Sequence, residues 1–126
     1  MNELEIHEKL MRGISEQQKK ILDSSGQSIY IYLDDNHIVF NQKFATLLGY
    51  SSPQELEKFK GSFMPVLVAD KSQNLLVDAY QRAMDKMEGS TVEISWKKKM
   101  GGEVKTTVIL TPLMYADHLF AIHFIL

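Results

Sequence analysis

The sequence predicts an α+β fold, and three features carry that prediction. A strand–turn–strand stretch, IYIYLDDNHIVF, runs directly into short helices. A long amphipathic helix comes next in mid-chain. The chain then closes on a strand meander whose first two runs flank Gly101-Gly102. At 126 residues this is one domain's worth of chain, able to bury roughly two-thirds of its unfolded surface. A net charge of -2 offers no basis for a nucleic acid or anionic membrane partner. The absence of cysteine excludes disulfides, thiolate metal sites and cysteine nucleophiles. No apolar run reaches the ~20 residues of a membrane span, and the opening MNELEIHEKL is too acidic for a signal peptide. The expectation is a cytoplasmic domain without nucleic acid or membrane contacts.

Taken in order, residues 2–22 are helical by period. Leu4, Met11, Ile14 and Ile21 recur at three- and four-residue spacing, with His7 and Gln18 filling the seam. Gly13 in mid-helix costs about 1 kcal/mol against alanine, so this helix needs tertiary or intersubunit support. Ser24-Ser25-Gly26 ends it, dividing the chain into an N-terminal helix (1–24) and a main domain (25–126). Strands at 28–33 and 37–40 are joined by Asp34-Asp35-Asn36, residue types that tolerate left-handed turns. A helix over 41–48 stops at Gly49, a C-cap residue. Ser52-Pro53-Gln54-Glu55 has the form of a capping box and starts a helix to about residue 59. The stretch 60–69, with Gly61 and Pro65, reads as a loop with at most one helical turn. Asp70-Lys71-Ser72-Gln73 resembles a second capping box, opening the long helix at about 71–88, whose stripe is Leu76, Ala79, Tyr80, Ala83, Met84 and Met87. Three strands finish the chain: 91–100, 103–115 and 118–126, with a second tight turn at Ala116-Asp117.

Two-residue loops at both turns would fix the register by arithmetic. Trp96 would then face Thr107, Ile94 face Ile109, and Val92 face Thr111. Across the second turn Ile109 would face Phe124, Thr111 face Ile122, and Leu113 face Phe120. These residues would form the core face. The opposite face would carry Glu93, Ser95 and Lys97, and an apolar patch of Val108, Leu110, Met114, Leu119 and Ile125. Such a patch needs a cover, and the N-terminal helix, of the same chain or of a second copy, is the candidate.

Asn41-Gln42-Lys43-Phe44-Ala45-Thr46-Leu47-Leu48-Gly49-Tyr50 resembles the Asn-x-x-Phe-x-x-Leu-x-Gly-Tyr pattern of the PAS domain family, and Ser51 to Leu56 resembles the adjoining Tyr-Ser-x-Glu-Glu-Leu of that family. Gly61 to Asp70, and Glu93 to Lys99 with the Gly-Gly turn, extend the likeness over residues 21–126. The chain departs from the family's His-Pro-Asp-Asp run, where it has Val68-Ala69-Asp70-Lys71. The resemblance implies a five-stranded antiparallel sheet in the order 2-1-5-4-3, with helices on one face around a small cavity. It also implies a non-enzymatic sensor or dimerisation module that binds haem, flavin, a small metabolite or nothing. Such a module would work as a homodimer through the N-terminal helix and outer sheet face, relaying to a histidine kinase or other effector.

Chemistry must be argued from sites. The long helix lacks the histidine of haem-binding relatives, and covalent flavin photochemistry is excluded without cysteine. Non-covalent flavin or a small metabolite stays open, with Trp96 as an aromatic to stack on a ring, although Trp96 as plain core is the simpler reading. The candidates to line the cavity that the resemblance implies are Phe44, Leu48, Tyr80, Met84, Trp96, Ile109, Thr111 and Phe124. Asn41 is a polar handle unless it only caps its helix. His118 and His123 are five apart in a strand and so lie on opposite faces, with His123 outward in the row of Leu110 and Glu93. Scattered histidines without paired carboxylates point to no metal clamp. No nucleophile–base pair or phosphate-cradling loop is present. Two rivals remain: a small enzyme of ketosteroid-isomerase type, whose helices normally precede its sheet, and an interaction module whose cavity is filled by its own side chains. Pairing of the first strand with the last would favour the PAS readings over the isomerase.

Overall fold

Asn2 begins the first element, accepting a hydrogen bond from the Glu5 N–H at 2.8 Å and so capping helix α1, Glu3–Ser24. The computed structural model describes residues 2–34, 36–57 and 63–126. Strands β1 (Ser28–Asp34) and β2 (His37–Phe40) come next, then α2 (Gln42–Leu48), α3 (Pro53–Leu56), the single turn α4 (Met64–Leu67) and α5 (Asp70–Lys86). β3 (Ser90–Lys97), β4 (Glu103–Tyr115) and β5 (His118–Ile125) complete one sheet in the order β2-β1-β5-β4-β3, with every pairing antiparallel. The expected continuation of α3 to residue 59, the loop at Gly61 and the turn residue Asp35 lie outside the described residues.

Local signals explain the element ends. Gly49 closes α2 at φ +87°, a left-handed conformation that glycine adopts without strain. Ser52 caps α3, while Glu55 reaches back to the N–H and hydroxyl of Ser51 instead of to Ser52. The second box does not form. Ala69 occupies the cap position of α5 without a side-chain bond, and Gln73 instead donates to the carbonyl of Val68 at 3.2 Å.

At β1 and β5 the sheet is buried on both sides. Along β1, Tyr30 joins a core with α2, α4 and α5, while Ile29 and Ile31 join a second core under α1. β5 divides in the same way, with Ala121 and Ile125 in the first core and Phe120 and Ile122 in the second. Alternating side chains of one strand thus serve two layers.

The second hairpin has the expected register, with Ile109 opposite Phe124 and Leu113 opposite Phe120 across an Ala116-Asp117 turn at positive φ. The first does not. Trp96 pairs with Val104, Ile94 with Thr106 and Val92 with Val108, three residues away from the two-residue-loop arithmetic. The connection is five residues long, because Lys99 leaves the sheet. Its N–H donates to Leu48 O at 2.8 Å and its ammonium pairs with Glu55, tying the loop to α2 and α3. An odd shift exchanges the faces of everything paired downstream. Hence Ile109, Thr111 and Phe124 lie on the α1 side, and Val108, Leu110 and Ile125 lie in the helix-covered core. Both faces of β4 are apolar, so alternation alone could not decide between registers.

Helix α1 of the same chain covers the second face, but not along the expected seam. Ile14 and Leu22 are buried and Leu10 and Met11 half-buried, whereas Leu4 and Ile21 are 55% and 52% exposed. A strict seven-residue seam rotates ~20° per heptad around a straight helix. Only its middle therefore meets the sheet, and Leu22 replaces Ile21 at the far end. Gly13 faces Tyr115, whose hydroxyl occupies the space a Cβ would need.

Candidate functional site

The alternation that sends Ile29 and Ile31 toward α1 sends Tyr30 and Tyr32 to the opposite side, toward α5. There a cavity of about 280 Å³ lies between β1, β5, the start of α4 and one face of α5. Tyr30, Tyr32 and His123 form its sheet wall; Leu76, Val77 and Tyr80 form its helix wall, and Phe63 and Met64 close one end. Its volume is at the lower end of ligand sites.

The wall is aromatic. Tyr30 stacks on His123 with ring centroids 3.8 Å apart and planes 13° from parallel. Tyr32 meets Tyr80 edge-on at 5.1 Å. Burial pushes the pKa of His123 down to about 3, so the ring is neutral at physiological pH. Burial likewise pushes the Tyr30 phenol well above its ordinary range, with the nearby Tyr32 adding to the shift. Among the described residues, neither the Tyr30 hydroxyl nor His123 Nδ1 has a hydrogen-bond partner. An unsatisfied buried polar group is costly, and here two belong to one pair of stacked rings on the cavity wall. The site is a mainly apolar, half-open cavity with two neutral polar rings in its wall.

Of the residues expected to line a cavity, Tyr80 does so. Phe44, Leu48 and Trp96 are fully buried in the first core and Met84 packs against it. Trp96 meets Phe44 edge-on at 5.1 Å, and its indole N–H donates to Thr106 Oγ1 at 2.8 Å. Its donor is satisfied within the core. Asn41 Oδ1 accepts from the N–H groups of Phe44 and Ile29, both at 3.0 Å, and Nδ2 donates to Gln27 O. It is a helix cap that also ties α2 to β1. Ile109, Thr111 and Phe124 are on the other side of the sheet, for the register reason above. His123, expected to face outward, is buried at the cavity for the same reason. Tyr30 and Tyr32 were open to discovery from the alternation IYIYL, which puts two tyrosines on one face.

Haem and flavin fit this lining poorly. α5 carries no histidine, His123 lies flat against Tyr30, and 280 Å³ suits a single small ring system. Nor are the histidines scattered: His7 on α1 and His37 on β2 both contact Asp34. Burial alone would raise the Asp34 carboxyl, but hydrogen bonds from His37, His7 and the Asn36 N–H outweigh it and hold the pKa below its usual value.

Neither a family sequence profile nor a curated relative matches this chain. Solved structures do. A PAS domain from a two-component sensor histidine kinase superposes with TM-score 0.65 at 14% identity, covering 89% of this chain and 97% of that one. The PAS domain of an HTR-like protein from Haloarcula marismortui gives 0.63 at 17%, covering 97% and 98%. The LOV protein of Rhodobacter sphaeroides gives 0.70 at 14%, covering 91% and 66%. These likenesses agree with the strand order and with helices α2–α5 gathered on one face of the sheet, and the chain has the fold of PAS domains.

Proposed function

We propose that this chain is a non-enzymatic sensory domain of a cytoplasmic signalling protein, and that it binds a small, mainly apolar ring compound in the cavity beside Tyr30 and His123. The observation that carries the proposal is that two rings of the cavity's sheet wall, Tyr30 and His123, each hold a buried polar atom without a partner among the described residues. A ligand that is apolar over most of its surface and carries one hydroxyl, carbonyl or ring nitrogen would satisfy the phenol, the imidazole or both. Antiparallel pairing of β1 with β5 favours this reading over the isomerase-like alternative. No helix among the described residues is long and apolar enough to cross a membrane. The signal would leave through α1 to an effector such as a histidine kinase. The chain would act as a homodimer through the outer side of α1, where Leu4 and Ile21 are exposed.

The test is native mass spectrometry of the protein as purified, at low micromolar concentration. A dimer with a fixed added mass that disappears in Tyr30→Phe and His123→Leu supports sensor and dimer together. Bare chains, with no added mass after exposure to small aromatic compounds, would favour the self-filled interaction module. A bare monomer would remove the dimer as well.

A further inference from the structure

His7, Asp34 and His37 are 27 and 3 residues apart in sequence, yet each can offer a ligand atom within 4.8 Å of the others. Asp34 Oδ2 lies 2.7 Å from His7 Nδ1, and Oδ1 lies 2.7 Å from His37 Nδ1. The two rings meet edge-on with centroids 5.7 Å apart. Side-chain exposures of 20%, 35% and 9% leave the group half-buried and still reachable from solvent. The Asn36 N–H donates to Asp34 Oδ1 at 2.9 Å, fixing the carboxylate's orientation.

We propose that these three side chains form a binding site for a divalent transition-metal ion of the zinc class, which fastens α1 to the β1–β2 end of the sheet. Two imidazole nitrogens and one carboxylate are a donor set that suits such ions, with water completing the shell. Coordination through Nδ1 puts each imidazole proton on Nε2, so the metal takes the place of the two N–H groups that face the carboxylate. Glu3 Oε1 lies 3.9 Å from His7 Nε2, too long for a hydrogen bond but near enough to favour positive charge on that side of the site. Zinc–nitrogen bonds of about 2.0–2.1 Å with tetrahedral angles require donor atoms roughly 3.3 Å apart. Each 2.7 Å pair therefore opens by roughly 0.6 Å when the ion enters. The site stands apart from the cavity and does not depend on a ligand there. Its consequence is mechanical: α1 contributes one ligand and the hairpin two, so the ion's free energy adds to the docking of the helix.

The experiment is calorimetric titration of the chelator-treated full chain with Zn²⁺, repeated with Co²⁺ followed by its visible absorption. Amide exchange across α1 is measured with and without metal. One ion per chain is expected, with slowed exchange in α1 on binding. His7→Ala and His37→Ala should each weaken affinity by more than the roughly 10–100-fold that loss of an outer partner costs. His118→Ala should bind as the parent does; its ring centroid is 6.3 Å from that of His7 and its Nδ1 contacts Ala116 O. Asp34→Asn, nearly isosteric, serves as a further ligand variant if an alanine variant fails to fold. No stoichiometric binding at about 100 μM Zn²⁺, or affinity unchanged in both His7→Ala and His37→Ala, would overturn the proposal.

Discussion

Tyr30→Phe should stabilise the ligand-free protein, although it removes a polar group from one of the most deeply buried side chains in the chain. Tyr30 has no solvent exposure, and its ring touches Phe40, Phe44, Phe63 and Trp96 as well as His123. Phenylalanine keeps all of those ring contacts. What it removes is a hydroxyl without a partner among the described residues, which costs the empty fold about 1–3 kcal/mol in desolvation. The void left by a single buried oxygen is small beside the ring, so little packing is lost. For a chain of this length the gain corresponds to a rise of roughly 4–11 °C in Tm. The assay is guanidinium unfolding of parent and variant, both first refolded from denaturant to strip any bound molecule. A second pair, prepared without that step, reads the ligand-bound state. Under the proposed function the sign should reverse there, because the parent alone keeps the hydroxyl that the proposed ligand would meet. A ligand-free Tyr30→Phe less stable than the parent by about 1 kcal/mol or more would refute the reasoning. It would mean that the hydroxyl is bonded inside the folded chain.

The same geometry sets further outcomes. His123 is neutral in the fold with a pKa near 3 and titrates near 6.5 when unfolded, so between those values only the unfolded chain takes up the proton. Stability should therefore fall with decreasing pH across that window, approaching about 1.4 kcal/mol per pH unit. His123→Leu should flatten the slope in urea titrations between pH 6.5 and 4. Asp34, whose carboxyl is held low, should add a further loss below about pH 4. Gly13→Ala alone should fail to give the ~1 kcal/mol an exposed helix would gain, because the new Cβ meets the Tyr115 hydroxyl. The double variant Gly13→Ala/Tyr115→Phe should recover part of it, read as a non-additive thermodynamic cycle. Ile14→Ala, at a fully buried position under α1, should cost about 2–5 kcal/mol. It should also raise amide exchange in α1 more than in α5.

Element positions were legible because their signals are local. Asn41 and Gly49 bracket α2, Ser52-Pro53 opens α3, and Ala116-Asp117 takes the positive φ that a tight turn requires. The register of the second hairpin is set by its turn through arithmetic. That of the first is not, because Gly101-Gly102 marks a turn without saying how many residues join it. The deciding contacts, Lys99 to Leu48 and Glu55, are about fifty and forty-four residues apart in sequence. That one odd shift moved Ile109, Thr111 and Phe124 away from the cavity and brought His123 into it. The remaining cavity residues needed a different inference. Tyr30 and Tyr32 are a matter of β1 alternation, but which of its faces meets α5 is settled only by the packing of helices on the sheet. The meeting of His7 with Asp34 and His37 had no local signal, since it depends on the angle at which α1 crosses the hairpin.

The two cores share a partition one strand thick. Tyr30 and Ile31 are consecutive residues, yet one borders the cavity and the other lies beneath α1; His123 and Ile122 repeat the arrangement on β5. A molecule that spreads or draws together β1 and β5 on one side necessarily changes the spacing of the groove in which Ile14 sits on the other. Communication between the interior and the N-terminal helix therefore needs no relay of side chains running the length of the domain. It has only to cross the thickness of the backbone.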